Sequence, residues 1–209
     1  MSSLVEEIAR TDGPGLQTPS TMDRLRRETS AEHARLERVT RMMAPDLSVR
    51  DYQRYLMEMW AVHAAVEPRL AGIDGLAAVL PDVEERRKLP LLELDLAELG
   101  TLPGELTALS LHRPQIPCDR LAEALGVLYV LEGSTLGGRF IRQHLAGMPG
   151  LHLGAATRYL DAYPNVGAMW KRFGAAVNAY GEAHTEAGSI LVAAAVATFR
   201  ALLAGWNRQ

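Results

Sequence analysis

Apolar residues recur at every third or fourth position along most of the chain after residue 20. This spacing is typical of amphipathic helices that bury one face. Ser20 and Asp23 have the spacing of a capping box that begins a helix, and Pro45 is a stop signal. We therefore expect a first helix over about residues 21–43. One face of it carries Leu25, Thr29, His33, Leu36 and Thr40.

A second helix is expected to begin at another capping-box pair, Ser48 and Asp51, and to continue to Leu70. Residues 71–81 should connect this helix to the next one. The residues of the second helix that are predicted to face inward are Tyr52, Tyr55, Leu56, Met59, Trp60, His63 and Val66.

The middle of the chain is richer in proline. A helix over about residues 82–99 should be strained or broken at Pro90 and should end at Gly100. Residues 100–118 contain further prolines and are predicted to form a loop. Because no alternation typical of strands is present, we predict an all-α fold with about seven or eight helices. The last three helices are expected at about residues 119–146, 165–183 and 189–206.

Length and composition favour one domain after a flexible tail. The chain has 209 residues, of which 48% are hydrophobic, and this suffices for one sizeable core. Residues 1–20 include a stretch of Gly, Pro and Ser and are predicted to be the tail. Residues 21–209 are predicted to form a single multi-helix domain.

Charge, cysteine content and the two chain ends indicate which partners and which compartment to expect. A net charge of −3 argues against a nucleic-acid partner, and a single Cys118 fits a reducing compartment. The N-terminus lacks an apolar signal region. The apolar run at the C-terminus is short and contains Arg200, as expected for a buried core helix rather than a membrane span. We therefore expect a cytoplasmic protein that binds neither nucleic acid nor membrane.

The most unusual stretch is LAEALGVLYVLEGSTLGGRFIRQHL, in which a helical pattern passes through Gly133, Gly137 and Gly138. A glycine within a helix costs on the order of 1 kcal/mol relative to alanine, so the segment should bend. Two interpretations remain open. The missing side chains either leave room for a flat ligand to touch the backbone or allow close packing against another helix.

His33 is the strongest candidate for a metal ligand. It lies on the inner face of the first helix, and Glu37 follows one turn later. A neutral imidazole binds iron through one nitrogen while a partner such as Glu37 holds the other. A purely structural role is the alternative. Of the remaining histidines, His63 is interpreted as a satisfied core residue, and loop or surface positions are expected for His112, His144, His152 and His184.

Other catalytic motifs are missing from the sequence. There is no H-E-x-x-H or paired E-x-x-H pattern, no Walker loop and no dinucleotide-binding glycine pattern. Ser134 follows Gly133 but belongs to a helix pattern rather than to a nucleophile elbow. An arginine-rich stretch is either simply solvated, or it steers an acidic partner or holds ligand carboxylates. Its members are Arg24, Arg26, Arg27, Arg35, Arg38, Arg41, Arg50 and Arg54.

Three segments together resemble the haem oxygenases, especially the bacterial type associated with phytochromes or haem uptake. LRRETSAEHARLERV is similar to the proximal helix of that family. YQRYLMEMWAVHAAVE resembles the next, aromatic-rich helix, and LGVLYVLEGSTLGGRFI resembles the bacterial form of the distal helix. The resemblance implies an all-α fold with haem held between the proximal and distal helices. It implies His33 as the iron ligand, Gly133, Ser134 and Gly137 as the catalytic positions, and Arg26, Thr29, Glu37, Gly138 and Lys171 as cofactor-binding positions.

The family reaction, as the resemblance implies it, uses O₂ and an external electron donor to convert haem to biliverdin, iron and CO. A ferredoxin or a flavin reductase is the expected donor, and a phytochrome is one candidate recipient of the biliverdin. Mammalian relatives carry an aspartate where this chain has Ser134, so ordered water would have to supply protons here. The alternatives are a non-catalytic haem carrier or sensor on the same fold, and a helical enzyme of another cofactor class.

Overall fold

The computed structural model describes residues 19–111 and 113–207, and no strand is present in these two ranges. The prediction of an all-α fold with seven or eight helices is confirmed. Residues 1–18 of the expected tail lie outside the described ranges, so the tail stays a prediction. The α-helices are α1 (Thr21–Thr40), α2 (Val49–Leu70), α3 (Leu76–Val79), α4 (Leu89–Glu98), α5 (Pro103–Ser110), α6 (Leu121–Ala146), α7 (Val166–Ala183) and α8 (Gly188–Trp206), and the 3-10 helices are Glu84–Arg86 and Thr185–Ala187.

α1 begins where the sequence predicts but ends earlier. The Ser20 hydroxyl accepts a hydrogen bond from the Asp23 amide at 3.2 Å, which satisfies a free N–H of the first turn. The helix ends at Thr40 because Arg41 adopts a left-handed backbone conformation with a φ of 49°. The expected extension towards Pro45 is therefore wrong.

α2 follows the prediction closely. Ser48 and Asp51 form the expected capping box, in which each side chain binds the amide of the other residue. All seven residues that were predicted to face inward are buried. The polar side chain of Glu67 is buried with them.

Two predictions for the middle of the chain concern proline, and the predicted loop over residues 100–118 is wrong in part. The predicted helix over residues 82–99 is broken, but at residues 87–88 rather than at Pro90, which lies in the first turn of α4. Proline is tolerated there because the N–H groups of the first turn have no helical acceptor. α5 occupies part of the predicted loop over residues 100–118, and Pro103 begins it for the same reason. Gly100 ends α4 as expected, with a φ of 82°.

α6 continues as one helix through Gly133, Gly137 and Gly138. The three glycines therefore do not interrupt the helix, and the expected bend stays a prediction. α8 packs along α6, and such tertiary contacts stabilise a helix more than intrinsic propensity does.

α8 is a central core helix. It packs against α1, α2 and α6, and Leu191, Ala195, Phe199 and Leu202 are buried. The predicted core position is confirmed. Among the described residues, the segment Thr185–Trp206 is also long and apolar enough to cross a membrane by length and composition, but half of the tested stretch is buried inside the protein.

Residues 147–165 form an irregular segment that covers one side of α6. The amides of Arg158 and Tyr159 donate to the buried carboxylate of Asp95, at 3.1 and 2.8 Å. The Tyr52 hydroxyl donates to the Ala156 carbonyl at 2.8 Å. The hydrogen bonds of the Tyr159 amide and the Ala156 carbonyl are buried, and they hold the backbone of this segment in place.

Candidate active site

His33 lies in the middle of α1, and 59% of its side chain is exposed. Its ring packs edge-on against Phe199 of α8, with the ring centroids 5.8 Å apart. His33 Nδ1 lies 3.7 Å from Glu37 Oε1, which is longer than a hydrogen bond. The imidazole is therefore supported on one side and accessible on the other, as a ligand for an added metal must be.

The structure brings α1 next to α6 through Tyr129. Thr29 and Arg26 of α1 lie close enough to the Tyr129 hydroxyl to act on it: burial raises the pKa of Tyr129, while the Thr29 hydroxyl and the Arg26 charge lower it. Thr29 is buried and donates to the Leu25 carbonyl at 2.8 Å. Thr29, which is near Tyr129 of α6, and His33, which packs on Phe199 of α8, are four residues apart and share one face of α1.

Gly133 and Gly137 lie one turn apart on the same face of α6. Within the described part of the chain, a Cβ built at Gly137 would meet no atom within 4 Å, and a Cβ built at Gly133 would meet the Trp170 indole at 3.8 Å. Phe140 shares this face and is 68% exposed. We call this surface the open face of α6. It leaves room for a flat apolar ligand beside the helix backbone.

The second interpretation, close packing, is correct for other glycines of α6. A Cβ at Gly138 would lie 3.2 Å from the Leu160 carbonyl oxygen. A Cβ at Gly126, which the sequence analysis did not single out, would collide with the Leu191 carbonyl of α8. α6 therefore uses Gly126 and Gly138 for packing.

One aromatic residue borders the open face, and the two predicted cations are exposed on α1 and α7. Trp170 of α7 has its ring centroid 5.8 Å from those of both Tyr129 and Phe173. Lys171 follows it and is exposed. Arg26 is exposed on α1, with its guanidinium 2.9 Å from the Asp23 carboxylate. Both cations were predicted from the sequence, but Trp170 was not, because its position depends on the packing of α7.

Ser134 connects the open face to buried polar groups. Its Oγ donates to the Leu131 carbonyl at 2.7 Å and lies 3.0 Å from the Tyr159 hydroxyl. Tyr159 is fully buried and packs against the rings of Tyr55 and His63. Tyr159 was not predicted from the sequence, because it lies in an irregular segment without periodicity.

Glu132 is the centre of a buried charge cluster behind Ser134. Its carboxylate lies 2.5 Å from Arg86 Nη1, 2.6 Å from Lys88 Nζ and 2.9 Å from the Tyr163 hydroxyl. All four side chains are buried. The glutamate within the apolar run LYVLEG was a signal in the sequence, but its partners come from distant parts of the chain.

His63 and Glu67 form a second buried pair. His63 Nδ1 lies 2.7 Å from Glu67 Oε1, and Glu67 also accepts hydrogen bonds from the amides of Lys88 and Leu89. His63 Nε2 is buried and has no hydrogen-bond partner among the residues that the structure describes. The expected burial of His63 is confirmed. The expectation that its ring nitrogens both have hydrogen-bond partners is wrong for Nε2.

The other histidines differ in position. His144 is half-buried on α6, on the face that carries Gly137 and Phe140, with Nε2 3.1 Å from the Ala44 carbonyl oxygen, so the expected loop or surface position is only partly correct. His152 and His184 are exposed in loops, as expected, and His112 lies outside the described residues. In the described ranges no three His, Cys, Asp or Glu side chains cluster around a metal position. An iron held by His33 would therefore need a cofactor to supply its other ligands.

A cavity of about 670 Å³ lies elsewhere. It is lined by Arg24 and Glu28 of α1 and by residues of α8 that include Val196 and Arg200. Arg24 and His33 are two and a half helical turns apart and face opposite directions. The candidate site is therefore the open face of α6, not this cavity.

The residues at the open face fit haem. Haem is flat and mostly apolar, with two carboxylates at one edge, and such ligands bind in apolar clefts that have cations at the mouth. The space beside Gly133 and Gly137 accepts a flat ring. His33 offers an accessible nitrogen, and Arg26 and Lys171 offer exposed positive charges.

Comparisons with known proteins agree with this geometry. The heme oxygenase family model matches residues 20–204. The heme oxygenase PigA of Pseudomonas aeruginosa is 32% identical over 152 residues, which are 72% of this chain and 73% of that protein. The NO- and CO-bound heme oxygenase of Neisseria meningitidis has a TM-score of 0.69 at 23% identity, covering 90% of this chain and 91% of that one. The heme oxygenase of Leptospira interrogans has a TM-score of 0.68 at 20% identity, covering 91% and 100%.

The two structural likenesses show the fold, and the sequence matches show the family. A helical enzyme of another cofactor class is thereby excluded, and a non-catalytic carrier is not favoured. The chain belongs to the haem oxygenase family, and it is an enzyme that degrades haem.

Proposed function

We propose that haem binds between the His33 face of α1 and the open face of α6. His33 Nε2 is the proposed iron ligand, because Nδ1 is directed at Glu37. Glu37, through a water at the observed 3.7 Å separation, would hold the Nδ1 proton and orient the ring. The observation that carries this proposal is the free space at Gly133 and Gly137 on a helix that meets α1 at Tyr129.

Arg26 and Lys171 are the proposed partners of the haem propionates. Both are exposed, and charge-assisted hydrogen bonds to carboxylates are among the stronger polar contacts. Arg26 would exchange Asp23 for a propionate. Thr29 is proposed to support the haem-facing side of α1 through Tyr129. A direct haem contact of Gly138 stays a prediction, since this glycine packs against Leu160.

When bound, haem supplies the iron that activates O₂ and the ring that is oxidised to biliverdin, with release of iron and CO. Gly133 and Gly137 let the α6 backbone approach the ligand, and they exclude side chains from the distal side. Ser134 is proposed to bind a water at this side through its remaining lone pair. That water, rather than a carboxylate of the helix, would bring protons to the site.

We propose that electrons come from an external donor, a ferredoxin or a flavin reductase with an acidic docking surface. α1 and its C-terminal end carry several exposed arginines, and complementary charges raise association rates at low salt. The proposed location is the cytoplasm, and the biliverdin would pass to a phytochrome or remain a by-product of iron release. The exposed arginines of this stretch are Arg26, Arg27, Arg35, Arg38 and Arg41.

Haem titration of the purified chain tests the ligand assignment. The wild type should give the absorption spectrum of a histidine-ligated ferric haem. The His33→Ala variant should lose that spectrum and regain it with added imidazole. His184→Ala is the matched control, because His184 is a comparably exposed histidine at the end of α7. An unchanged spectrum in His33→Ala would contradict the proposal.

Turnover tests the reaction. The haem complex, loaded without O₂ and then given O₂ and a reductant, should lose its haem absorption while biliverdin and CO form. Haem that persists unchanged under these conditions would support the carrier instead. Separation of the biliverdin isomers would then identify the carbon of the ring that is attacked.

A further inference from the structure

One face of α6 is covered by the protein at both of its ends and is open between them. Residues three, four or seven positions apart share a helix face, and those on this face are Gly126, Gly133, Gly137, Phe140 and His144. The face packs tightly on α8 at Gly126 and borders an indole ring at Gly133. Within residues 19–111 and 113–207, a Cβ at Gly137 would meet no atom within 4 Å, and Phe140 is exposed. The protein covers the face again at His144.

The imidazole of His144 reaches from α6 to the turn that follows α1. Its Nε2 lies 3.1 Å from the Ala44 carbonyl oxygen, and the side chain is half-buried. A carbonyl oxygen accepts hydrogen bonds and donates none, so Nε2 carries the hydrogen and is the donor. This hydrogen bond joins the last turn of α6 to the segment that ends α1.

The acceptor of this hydrogen bond is held in place by its own turn. The Ala44 amide donates to the Arg41 carbonyl at 2.8 Å, and the Arg41 guanidinium lies 2.8 Å from the Asp46 carboxylate. Met42 and Leu47, which flank Ala44 in the turn, are buried in the core. Any opening of the contact should therefore come from a movement of α6.

The two covered ends of the open face differ in strength. At the first end, Trp170 packs against both Tyr129 and Phe173, with ring centroids 5.8 Å apart in each pair. At the second end, the contact that the structure describes across the gap is the hydrogen bond of His144, close to the end of α6 at Ala146. Helix ends fray more readily than helix interiors, and one neutral hydrogen bond changes an equilibrium only about two- to tenfold. The gap beside the open face should therefore widen at the His144 end.

We propose that the hydrogen bond from His144 to the Ala44 carbonyl is a latch, which holds the end of α6 near α1 and opens when haem passes into or out of the site. His144 is thus a positioning residue that sets the width of the gap. This inference rests on the proposed function, which places haem beside Gly133 and Gly137. A contact that is present before and after binding but broken during passage slows entry and exit equally. Its loss therefore raises both rates, and it leaves the affinity unchanged because the free and bound states lose the same contact.

The rates of haem binding and release test the latch. Both are measured with the CO complex of ferrous haem, association by stopped-flow mixing and dissociation by transfer to an excess of apomyoglobin. His144→Ala should raise both rates about two- to tenfold and change the dissociation constant by less than about twofold. His144→Gln keeps a nitrogen donor near the Nε2 position and should behave like the wild type. Gln143→Ala is the control, because Gln143 is exposed on the same turn of α6. Faster dissociation alone, wild-type rates in His144→Ala, or equal rates in His144→Ala and His144→Gln would overturn the latch.

Hydrogen exchange of the haem-free full-length chain tests the same contact without haem. Amides in the last two turns of α6 should exchange about two- to tenfold faster in His144→Ala than in the wild type. Amides near Tyr129 should be unchanged, and His144→Gln and Gln143→Ala should exchange like the wild type. Equal exchange in His144→Ala and the wild type would overturn the latch. Failure of haem binding would contradict the proposed function, and the exchange experiment would then decide on the latch by itself.

Discussion

The His33 side and the α6 side of the proposed haem position differ in how many of their polar groups already have hydrogen-bond partners within the protein. His33 is largely exposed, and its nearest carboxylate is 3.7 Å away. Behind the distal helix, by contrast, the polar groups of Glu132 and Glu67 are buried, and their hydrogen bonds include distances of 2.5–2.7 Å. The fold therefore builds a rigid polar support behind Ser134 and leaves the proximal side for the ligand to complete.

The charge balance explains why the buried support is stable. Arg86 contacts both Glu132 and Asp82, and Lys88 contacts Glu132, so the two cations face two carboxylates. Buried charges are tolerated when each is paired and hydrogen-bonded. On the α1 side the ion pairs are exposed, and exposed pairs contribute little to stability. Variants of the two sides should therefore behave differently.

The largest expected effect is the loss of Glu132. Glu132→Ala leaves Arg86 and Lys88 buried near each other without their shared carboxylate, and breaking a buried pair costs about 3–5 kcal/mol. Glu37→Ala, on the exposed side, should change the free energy of unfolding by less than about 0.5 kcal/mol. Denaturant unfolding measures both. Similar losses in the two variants would refute the contrast between the two sides.

The glycines of α6 give the next largest contrast. Gly126→Ala should lower the free energy of unfolding by about 1–3 kcal/mol, because the new methyl group collides with α8. Gly137→Ala should raise it by up to about 1 kcal/mol in the haem-free chain, because its face is open and alanine favours the helix. The same Gly137→Ala change should weaken haem binding. Thermal unfolding and haem titration of both variants check these expectations.

The pH dependence of stability tests the neutral state of His63, which faces Glu67, Lys88, Glu132 and Tyr159. Because the pKa of His63 is lowered in the folded protein, the unfolded state takes up the proton first as the pH falls below about 6.5. The free energy of unfolding should then fall by at most about 1.4 kcal/mol per pH unit. The lowered pKa of Glu67 adds a further loss only below about pH 4.3. His63→Asn should lack the first of these losses, and an equal slope in the variant would contradict a neutral His63.

The smallest effects are expected from the exposed cations. Arg26→Gln and Lys171→Gln should each change the free energy of unfolding by less than about 0.5 kcal/mol. Each should weaken haem binding by up to about fivefold, since an exposed ion pair contributes up to about 1 kcal/mol. Arg35→Gln is the control, because Arg35 lies on the opposite side of α1 from Arg26. Equal effects of Arg26→Gln and Arg35→Gln on haem affinity would argue against a specific propionate contact.

The sequence was most informative where structure is local. The capping pairs at Ser20 and Ser48 and the inward face of α2 were correctly predicted, because each depends on residues within a few turns. The prolines show the limit of such reasoning. Pro90 and Pro103 lie in the first turns of helices. A proline in the first turn can be told from a helix-breaking interior proline only if the first residue of the helix is already known.

For the site, the sequence indicated His33 and the glycines of α6 but not the buried polar groups. Tyr159 lies in an irregular segment, and its contact with Ser134 spans 25 residues. Glu132 is separated from Arg86 by 46 residues, and no periodic pattern connects them. Such partners become visible only when the chain is folded.

By itself, the sequence determined most of the helices and the haem oxygenase family, and it predicted the proximal histidine, because periodicity, capping and motif spacing are properties of neighbouring residues. The tertiary structure decided which glycines of α6 are open and which are packed, since an absent side chain has the same appearance in the sequence whether a ligand or a helix fills the space. It also decided that His63 has one nitrogen without a partner. Burial and long-range hydrogen bonds arise only when distant segments meet, and they determine the chemistry of the polar groups behind the distal helix.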